Sequence, residues 1–227
     1  MIEVESGTCL LFADVGCPWA HVAVHRWRSE RSARGLDRDI GLEIRAFPLE
    51  LFNERATPKR ILDAEVPVAG GLAPQAGWQM WQRQTYDYPV TTLLALEAVS
   101  AARTQSRGAA EKLDSALRRA FFGQSRNISM MNVILEVAGE VEDVDTAVLE
   151  SDLKRGVARK SIFEDMETAE SSDVKGSPHF FLHDGSSWHN PGIDLHWEGK
   201  AGQGFPVIDK DDPGVYAEMF DRLAESS

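Results

Sequence analysis

Apolar residues form short runs near both ends of the chain and follow helical spacing between them. Thr8 to Val15 is a short apolar run between two glycines, which is typical of a buried strand. Helical spacing begins at Pro18, a favourable first helical residue, and ends near Gly35. Gly41 to Phe47 then alternates apolar and charged residues. The sequence therefore predicts a βαβ unit with two parallel strands.

The middle of the chain, from about Leu49 to Ser172, has helical apolar spacing almost throughout. The predicted helices run from Pro89 to Gly108, from Ala110 to Gly123, from an N-cap at Ser129 to Gly139, from an N-cap at Asp145 with Val148, Leu149 and Leu153 facing inward, and from Val157 to about Ala169. Asn53 to Gly77 is rich in proline and glycine. We expect that segment to be a mobile loop.

Strand patterns return only at His179 to Leu182 and Ser187 to His189, with a hairpin turn signal between them at Asp184-Gly185. Asp212 to Ala224 predicts a last helix. The element order is βαβ, a long helical insertion, then ββα. We expect an α/β protein in which residues 1–48 and 174–227 form one domain and residues 49–173 an inserted helical domain.

Composition and charge exclude several classes of function. A formal net charge of −12 argues against partners that are nucleic acids or anionic membranes, because both repel an acidic surface. No apolar run approaches the roughly 20 residues that span a bilayer. The N-terminus has neither a basic region nor a cleavage site of a signal peptide. With two cysteines in the chain, we expect a cytoplasmic protein.

Cys17-Pro18-Trp19 follows the first strand and starts like a redox-active dithiol turn, but Ala20 stands where a second cysteine would be. A thiol at a helix N-terminus faces unpaired N–H groups and the positive end of the helix dipole, so we expect its pKa to fall well below about 8.5. Pro18 would fix the first helical turn, and Trp19 would place an apolar ring beside the sulfur. The alternative is an inert structural cysteine.

Cys9 is the other cysteine, and its position in the first strand excludes it as a partner for Cys17. Five or six strand residues at about 3.3 Å each would separate the two residues by well over 15 Å. A disulfide requires Cα atoms within about 7 Å of each other. We therefore expect Cys9 to be a small core residue and any chemistry at Cys17 to use one thiol.

The element order, Cys17-Pro18-Trp19 at the first helix and Gly176-Ser177-Pro178 before the third strand together resemble the DsbA-like branch of the thioredoxin superfamily. The resemblance covers essentially the whole chain and implies a thioredoxin fold with a helical insertion. It also implies that Pro178 is a cis-proline. Ser177 would then present backbone N–H and C=O groups beside Cys17 for an extended peptide or glutathione. The alternative is a simple turn before a strand.

The relatives suggested by this resemblance fall into two groups, and the chain departs from both. Dithiol isomerases and thiol-dependent reductases have a second cysteine at the position of Ala20. Kappa-class glutathione transferases and 2-hydroxychromene-2-carboxylate isomerases have a serine at the position of Cys17. In thiol–disulfide exchange, a mixed disulfide is normally resolved by a second thiolate. With Ala20 present, that thiol must come from another molecule such as glutathione or mycothiol.

Histidines and aromatic residues supply further candidates. His21 and His25 follow Cys17 at one-turn intervals, so they share its helix face. This stripe could tune the thiolate or hold a metal, but a metal needs further ligands opposite, and we predict none. His21 is kept as a candidate substrate-binding residue. The aromatic residues between Trp78 and Tyr88 could line a pocket, although core packing is favoured, and Arg83 could hold a carboxylate of a thiol cofactor.

These observations predict a cytoplasmic DsbA-like thiol oxidoreductase that uses Cys17, Pro18 and Trp19 for catalysis and Ser177, Pro178 and His21 for substrate binding. No tightly bound cofactor is expected, and glutathione or mycothiol would be the co-substrate. One alternative is a kappa-type transferase or isomerase that activates a bound thiol. Another is a redox-inactive binding module of the same fold. A small-molecule thiol or disulfide is the expected partner, and a homodimer is a possible assembly.

Overall fold

The computed structural model describes residues 2–171, 173–200 and 203–225. Ser172, which ends the predicted helical stretch, lies outside these ranges, as do residues 1, 201, 202, 226 and 227 of the domain predicted to comprise residues 1–48 and 174–227. Strand β1 (Thr8–Ala13), helix α1 (Pro18–Ala33) and strand β2 (Gly41–Ala46) form the predicted βαβ unit, with the strands parallel. The prediction of this unit is confirmed.

The helical region contains seven α-helices in the described residues: α2 (Leu49–Phe52), α3 (Lys59–Leu72), α4 (Leu93–Gln105), α5 (Arg107–Gln124), α6 (Met131–Ala138), α7 (Thr146–Arg155) and α8 (Arg159–Ser171). Two short 3₁₀ turns, Pro74–Ala76 and Thr85–Asp87, lie between α3 and α4. Together these elements confirm a long helical insertion between the second and third strands.

After the insertion the chain returns to the sheet. Strands β3 (His179–Phe181) and β4 (Ser187–His189) form the predicted hairpin, and the sheet order is β2-β1-β3-β4, with β3 antiparallel to β1. The last helix, α9 (Gly214–Glu225), also follows the prediction. The α/β thioredoxin fold with its helical insertion is therefore confirmed.

Two further strands correct the prediction that strand patterns occur only in the hairpin. β5 (Ile193–Glu198) and β6 (Phe205–Asp211) form a separate antiparallel pair. The signal was present in the sequence, because Ile193, Leu195 and Trp197 alternate with polar residues. One apolar face of this pair packs on the core through Leu195 and Ile208.

Helix α3 corrects the prediction of a mobile loop between Asn53 and Gly77. Leu62 and Ala69 are buried where α3 packs against α1 and β6, and this packing outweighs the poor helix propensity of Pro67. Gly70 permits close contact rather than breaking the helix, since a Cβ there would lie 3.2 Å from Cγ of Trp78. Tertiary packing therefore determines that this segment is helical.

Several helix boundaries also differ from the predictions, because side chains that accept from the first N–H groups fix where each helix begins. Helix α4 begins at Leu93 rather than Pro89, where Glu50 of α2 accepts hydrogen bonds from the N–H groups of Thr92 and Leu93. Ser106, not Gly108, separates α4 from α5 and caps α5 by accepting from Ala109 N.

Of the two N-caps predicted for the next helices, α6 and α7, only one is present. Ser129 does not cap α6, because its hydroxyl instead donates to Asn127 Oδ1. Asp145 caps α7 as predicted, accepting from Val148 N at 3.0 Å. Leu149 in α7 is buried as predicted, whereas the side chain of Val148 faces solvent.

Buried polar contacts join the helical insertion to α1 and to the sheet. Arg31 of α1 donates to both carboxylate oxygens of Glu111 in α5, and all these groups are buried. Asp165 of α8 accepts from Ala46 N at the end of β2. Burying one partner of such a pair without the other is costly, so these contacts fix α1, α5 and α8 around the sheet. None of the helices in the described residues is long and apolar enough to cross a membrane.

Candidate active site at the start of the first helix

Cys17 occupies the N-cap position of α1, directly after the turn that leaves β1, and Pro18 is the first helical residue. Cys17 is only 3% exposed. Its Sγ donates a hydrogen bond to the backbone oxygen of Ser177 at 3.2 Å. The Ser177–Pro178 peptide bond is cis. The structure therefore brings the two sequence motifs together, with the carbonyl of Ser177 directly at the thiol.

Burial controls the ionisation of Cys17. It raises the pKa of the thiol to about 11, and the negative charges of Glu65 and Asp14 contribute in the same direction. Hydrogen bonds with Ser177 and with the backbone of Ala20 lower the pKa but do not offset the loss of solvation. The expectation that the pKa of Cys17 is depressed is therefore wrong. It took into account the N-terminus of α1 but not the residues that bury the thiol.

Asp14 holds the turn before Cys17 in place. One carboxylate oxygen accepts from Gly16 N at 2.8 Å, and the other accepts from Leu49 N and the Thr92 hydroxyl. Burial raises the pKa of Asp14, although these hydrogen bonds and Arg118 favour the ionised form. The carboxyl group thus ties the turn to the starts of α2 and α4.

Backbone groups of the same turn bind neighbouring elements. The N–H of Asp14 donates to the Ser177 hydroxyl at 2.9 Å, and its carbonyl accepts from Cys17 N and from the buried guanidinium of Arg118. Gly16 is required where Thr92 comes close, since a Cβ there would lie 2.8 Å from Thr92 Cγ2. The position of Cys17 is therefore determined by contacts from α2, α4, α5 and the Ser177 segment.

A cavity of about 230 Å³ opens beside Cys17. Its walls come from the first turn of α1, from Ser177 and from the chain between Leu49 and Glu65. This volume is somewhat below the usual range of about 300–1,000 Å³ for small-molecule sites, but the cavity is open to solvent, so a ligand could extend beyond it. The thiol therefore lies where a small disulfide or thiol could reach it.

Glu65 of α3 is the acidic group in this cavity. Its Oε1 accepts a hydrogen bond from Trp19 Nε1 at 3.1 Å. Burial raises the pKa of Glu65 to about 7, and the bond from Trp19 offsets only part of that effect. Glu65 makes no ion pair with another described residue. Trp19 thus holds a carboxyl group that changes protonation near neutral pH.

His21 and His25 do not line the Cys17 cavity; both line a second one. The His21 ring stacks on Phe122 and meets Trp78 edge-on. Burial, with Arg118 nearby, lowers the pKa of His21 to about 3. Among the described residues, no group of three or more histidine, cysteine, aspartate or glutamate side chains could hold a metal ion.

The remaining candidates lie in the core or away from the cavity. Cys9 is fully buried in β1 and is not in a disulfide, as expected of a core residue. Trp81 and Tyr88 pack with Phe121, so the aromatic cluster is mainly core, whereas Tyr86 is 84% exposed. Arg83 is not part of the cavity lining.

Sequence reasoning missed Glu65, Asp14 and Arg55 as parts of the site. Arg55 and Glu65 line the cavity from a segment predicted to be a loop. No local signal identified Glu65, because its burial depends on how α3 packs over α1. Asp14 was closer to detection, since it lies three residues before Cys17 and follows the strand directly.

A thioredoxin family model matches residues 63–197, which is more than half of the chain. The matched range includes Glu65, Ser177 and Pro178, and Cys17 precedes it. Among curated proteins, none matches the sequence significantly.

Solved structures with the same fold come from several DsbA-like proteins. Cytosolic disulfide reductase DsbM from Pseudomonas aeruginosa has a TM-score of 0.66 at 13% identity, over 96% of this chain and 99% of that chain, and a second DsbM structure contains GSH. A probable DsbA oxidoreductase from Streptomyces coelicolor has a TM-score of 0.68 at 17% identity, over 97% and 91%. A 2-hydroxychromene-2-carboxylate isomerase has a TM-score of 0.55 at 16% identity, over 80% and 87%. At these identities the likeness concerns the fold.

Proposed function

The chain belongs to a thioredoxin family with the DsbA-like fold, and on that premise we propose that it is a thiol-disulfide oxidoreductase that works with one cysteine and a low-molecular-weight thiol. One observation carries the proposal: Cys17 lies at the N-terminus of α1, against the carbonyl of Ser177 and beside an open cavity. Ala20 leaves the turn without a second thiol.

The first step is attack of the Cys17 thiolate on a disulfide R–S–S–R′. A bond forms between Sγ of Cys17 and one sulfur, the S–S bond breaks, and R′–S⁻ leaves. Cys17 is then held as a mixed disulfide with R. In the mixed disulfide the thiol no longer donates to the carbonyl of Ser177. That carbonyl would then face an extended substrate, as in strand addition.

The second step requires a thiol from solution, because Cys9 is buried in β1. A thiolate R″–S⁻ attacks the R sulfur of the mixed disulfide, which releases R–S–S–R″ and the Cys17 thiolate. When R and R″ are the same small thiol, the two steps together reduce R–S–S–R′ to R′–SH and produce the disulfide of the small thiol. Glutathione or mycothiol is the proposed co-substrate.

Glu65 is the proposed proton carrier for both steps. Cys17 is a buried thiol with a raised pKa, so its proton needs an acceptor within the cavity. Glu65 has a pKa near neutrality and faces the same cavity, which is large enough for bridging water molecules. It takes the Cys17 proton before attack and returns a proton to the leaving thiolate, so the exchange is balanced.

The cytoplasm remains the proposed compartment, because a disulfide reductase of this fold from Pseudomonas aeruginosa is named as cytosolic. A reducing compartment would also supply the small thiol on which the second step depends.

Intact-mass analysis tests the proposal directly. After incubation with oxidised glutathione or mycothiol disulfide, the protein should carry one small-thiol adduct, and excess free thiol should remove it. Cys17→Ser should carry none, whereas Cys9→Ser should behave like the wild type. In a separate assay, the protein should reduce a model disulfide, and this turnover should depend on the small thiol. An unmodified wild-type protein without turnover would contradict the proposal.

A second candidate is a kappa-type transferase or isomerase, and the protonation of Cys17 favours it. A thiol that donates a hydrogen bond and has a raised pKa could orient the sulfur of a bound co-substrate without forming a disulfide. In that case glutathione or mycothiol would bind tightly to the reduced protein, and no adduct would form. A redox-inactive binding module would bind a ligand without any reaction of its thiol group.

A further inference from the structure

A second, larger cavity lies between α1, α5 and the turn at Pro74–Ala76. Its volume is about 420 Å³, which falls within the range of sites that hold small organic molecules. It shares no lining residue with the Cys17 cavity. Nothing in the proposed exchange reaction uses it.

Cationic side chains dominate this cavity. Its lining includes Arg28, Arg118 and Arg119, together with His25 and polar residues such as Ser115, and none of its described lining residues is acidic. In a chain with a net charge of −12, three arginines at one cavity are a marked local reversal of charge. Such a surface attracts anions.

The arginines differ in how far their charges are already neutralised. Behind the cavity, Asp114 pairs with Arg118 at 2.7 Å and Glu111 lies 3.6 Å from Arg28. Glu111 is shared with Arg31, which divides its charge between two arginines. Arg119 is exposed and makes no hydrogen bond or ion pair with the described residues. The cavity therefore keeps an excess of positive charge.

Arg118 provides a second, independent observation. The residue is 0% exposed, yet its Nη2 has no hydrogen-bond acceptor among the described residues. Buried polar atoms are nearly always hydrogen-bonded, and a guanidinium nitrogen can only donate, so the orphaned Nη2 of Arg118 indicates a missing acceptor.

We propose that this cavity binds a phosphate group, either as free phosphate or as the phosphate of a small ester. Planar guanidinium groups match the paired oxygens of phosphate, and a serine hydroxyl such as that of Ser115 can add a further hydrogen bond. The cavity volume and the polar side chains of Ser29, Ser32 and Gln75 leave space for the rest of a small polar molecule. This site does not depend on the proposed redox function.

Arg119 is the residue of choice for the test. Arg118 is unsuitable, because its Nη1 also donates to the Asp14 carbonyl at 2.9 Å and supports the turn before Cys17. Arg119→Gln removes one charge from an exposed position without breaking a hydrogen bond or ion pair with the described residues. Arg60→Gln is the matched control, since Arg60 is also exposed, makes no hydrogen bond or ion pair with the described residues and lies outside the cavity.

Calorimetric titration with sodium phosphate, glycerol 3-phosphate and glycerol, at an ionic strength held constant with sodium chloride, tests the proposal. We expect saturable binding of at least one phosphate compound, about tenfold weaker in Arg119→Gln and unchanged in Arg60→Gln. Tighter binding of the ester would identify an esterified ligand, and equal or weaker binding would identify free phosphate. No saturable binding by the wild type, or equal loss in both variants, would overturn the proposal.

Discussion

At Cys17, two opposing effects act on one thiol. Its place at the N-terminus of α1 favours the thiolate, and burial under the Leu49–Glu65 segment and Ser177 favours the thiol. Burial has the larger effect and raises the pKa to about 11. The resting site therefore holds a protonated, hydrogen-bonded nucleophile, whose reactivity depends on removal of the proton.

Alkylation of the native protein should reveal this protonated state. We expect the rate at Cys17 to rise about tenfold for each pH unit between pH 7 and 9, because the thiolate fraction rises by that factor well below the pKa. Cys9 should remain unlabelled, since it is fully buried and its pKa is raised further. Peptide mass spectrometry at several pH values measures both rates. A Cys17 rate that is already constant above pH 6 would show a depressed pKa instead.

Glu65→Gln separates two roles of one carboxyl group. The negative charge of Glu65 raises the pKa of Cys17, so its removal should lower that pKa and increase the thiolate absorbance at a given pH. If Glu65 is also the proton carrier, exchange with a small disulfide should nevertheless become slower. General acid–base catalysis commonly contributes about 100-fold or more, so a loss of at least tenfold is expected.

The matched control for that variant is Asp63→Asn on the same helix. Asp63 pairs with Lys59 at 2.7 Å and does not line the Cys17 cavity. The Asp63→Asn variant should leave both the thiolate titration of Cys17 and the exchange rate nearly unchanged. If Glu65→Gln instead exchanged faster in proportion to its thiolate fraction, Glu65 would act only as a repelling charge.

At the level of elements, the first turn of α1 has the spacing of a dithiol site with one thiol missing. Ala20→Cys should therefore form a disulfide with Cys17 under mild oxidation, with a mass decrease of two hydrogens. Ala23→Cys is the control, because Ala23 is equally buried on the same helix but lies a further turn away. Both variants should be compared by intact mass before and after oxidation. An Ala20→Cys protein that remained fully reduced would contradict this helix-start geometry.

The elements that sequence predicts correctly are those whose signals are local. The βαβ unit follows from the short apolar run before Cys17, the proline at the helix start and the alternation after Gly41. Helix α3 could not be predicted in this way, because Pro67 and Gly70 read as breakers until α1 and Trp78 are packed against them. Local sequence pattern therefore predicts the βαβ unit, whereas helix α3, which packs over α1, depends on long-range packing.

The same distinction applies to the candidate site. Cys17 and Ser177 were recognisable from short motifs, and the fold places Sγ against the Ser177 carbonyl. Glu65 and the raised pKa of Cys17 both result from α3 covering α1 over 40 residues away in sequence. A site residue contributed by an inserted helix has no fixed spacing from the motif that it serves.

For the whole molecule, buried histidines link stability to acidity. In the folded protein burial lowers the pKa of His21 to about 3 and that of His179 to about 4. Below an ordinary histidine pKa of about 6.5, the unfolded chain binds protons that the folded chain does not. Proton binding to these histidines in the unfolded chain therefore lowers the free energy of unfolding as the pH falls. Glu65 acts in the opposite direction, because its raised pKa favours the folded state most where it is protonated.

His21→Phe isolates one part of this linkage. Phenylalanine can keep the ring contacts with Trp78 and Phe122 and removes both the titration and the unpartnered Nε2. Relative to the wild type, the variant should gain up to about 1.4 kcal/mol of unfolding free energy for each pH unit below 6.5, down to about pH 3. Urea unfolding of both proteins at pH 7.5, 6.0 and 5.0 measures the difference. Parallel pH profiles would mean that His21 takes up a proton in the folded state as easily as in the unfolded chain.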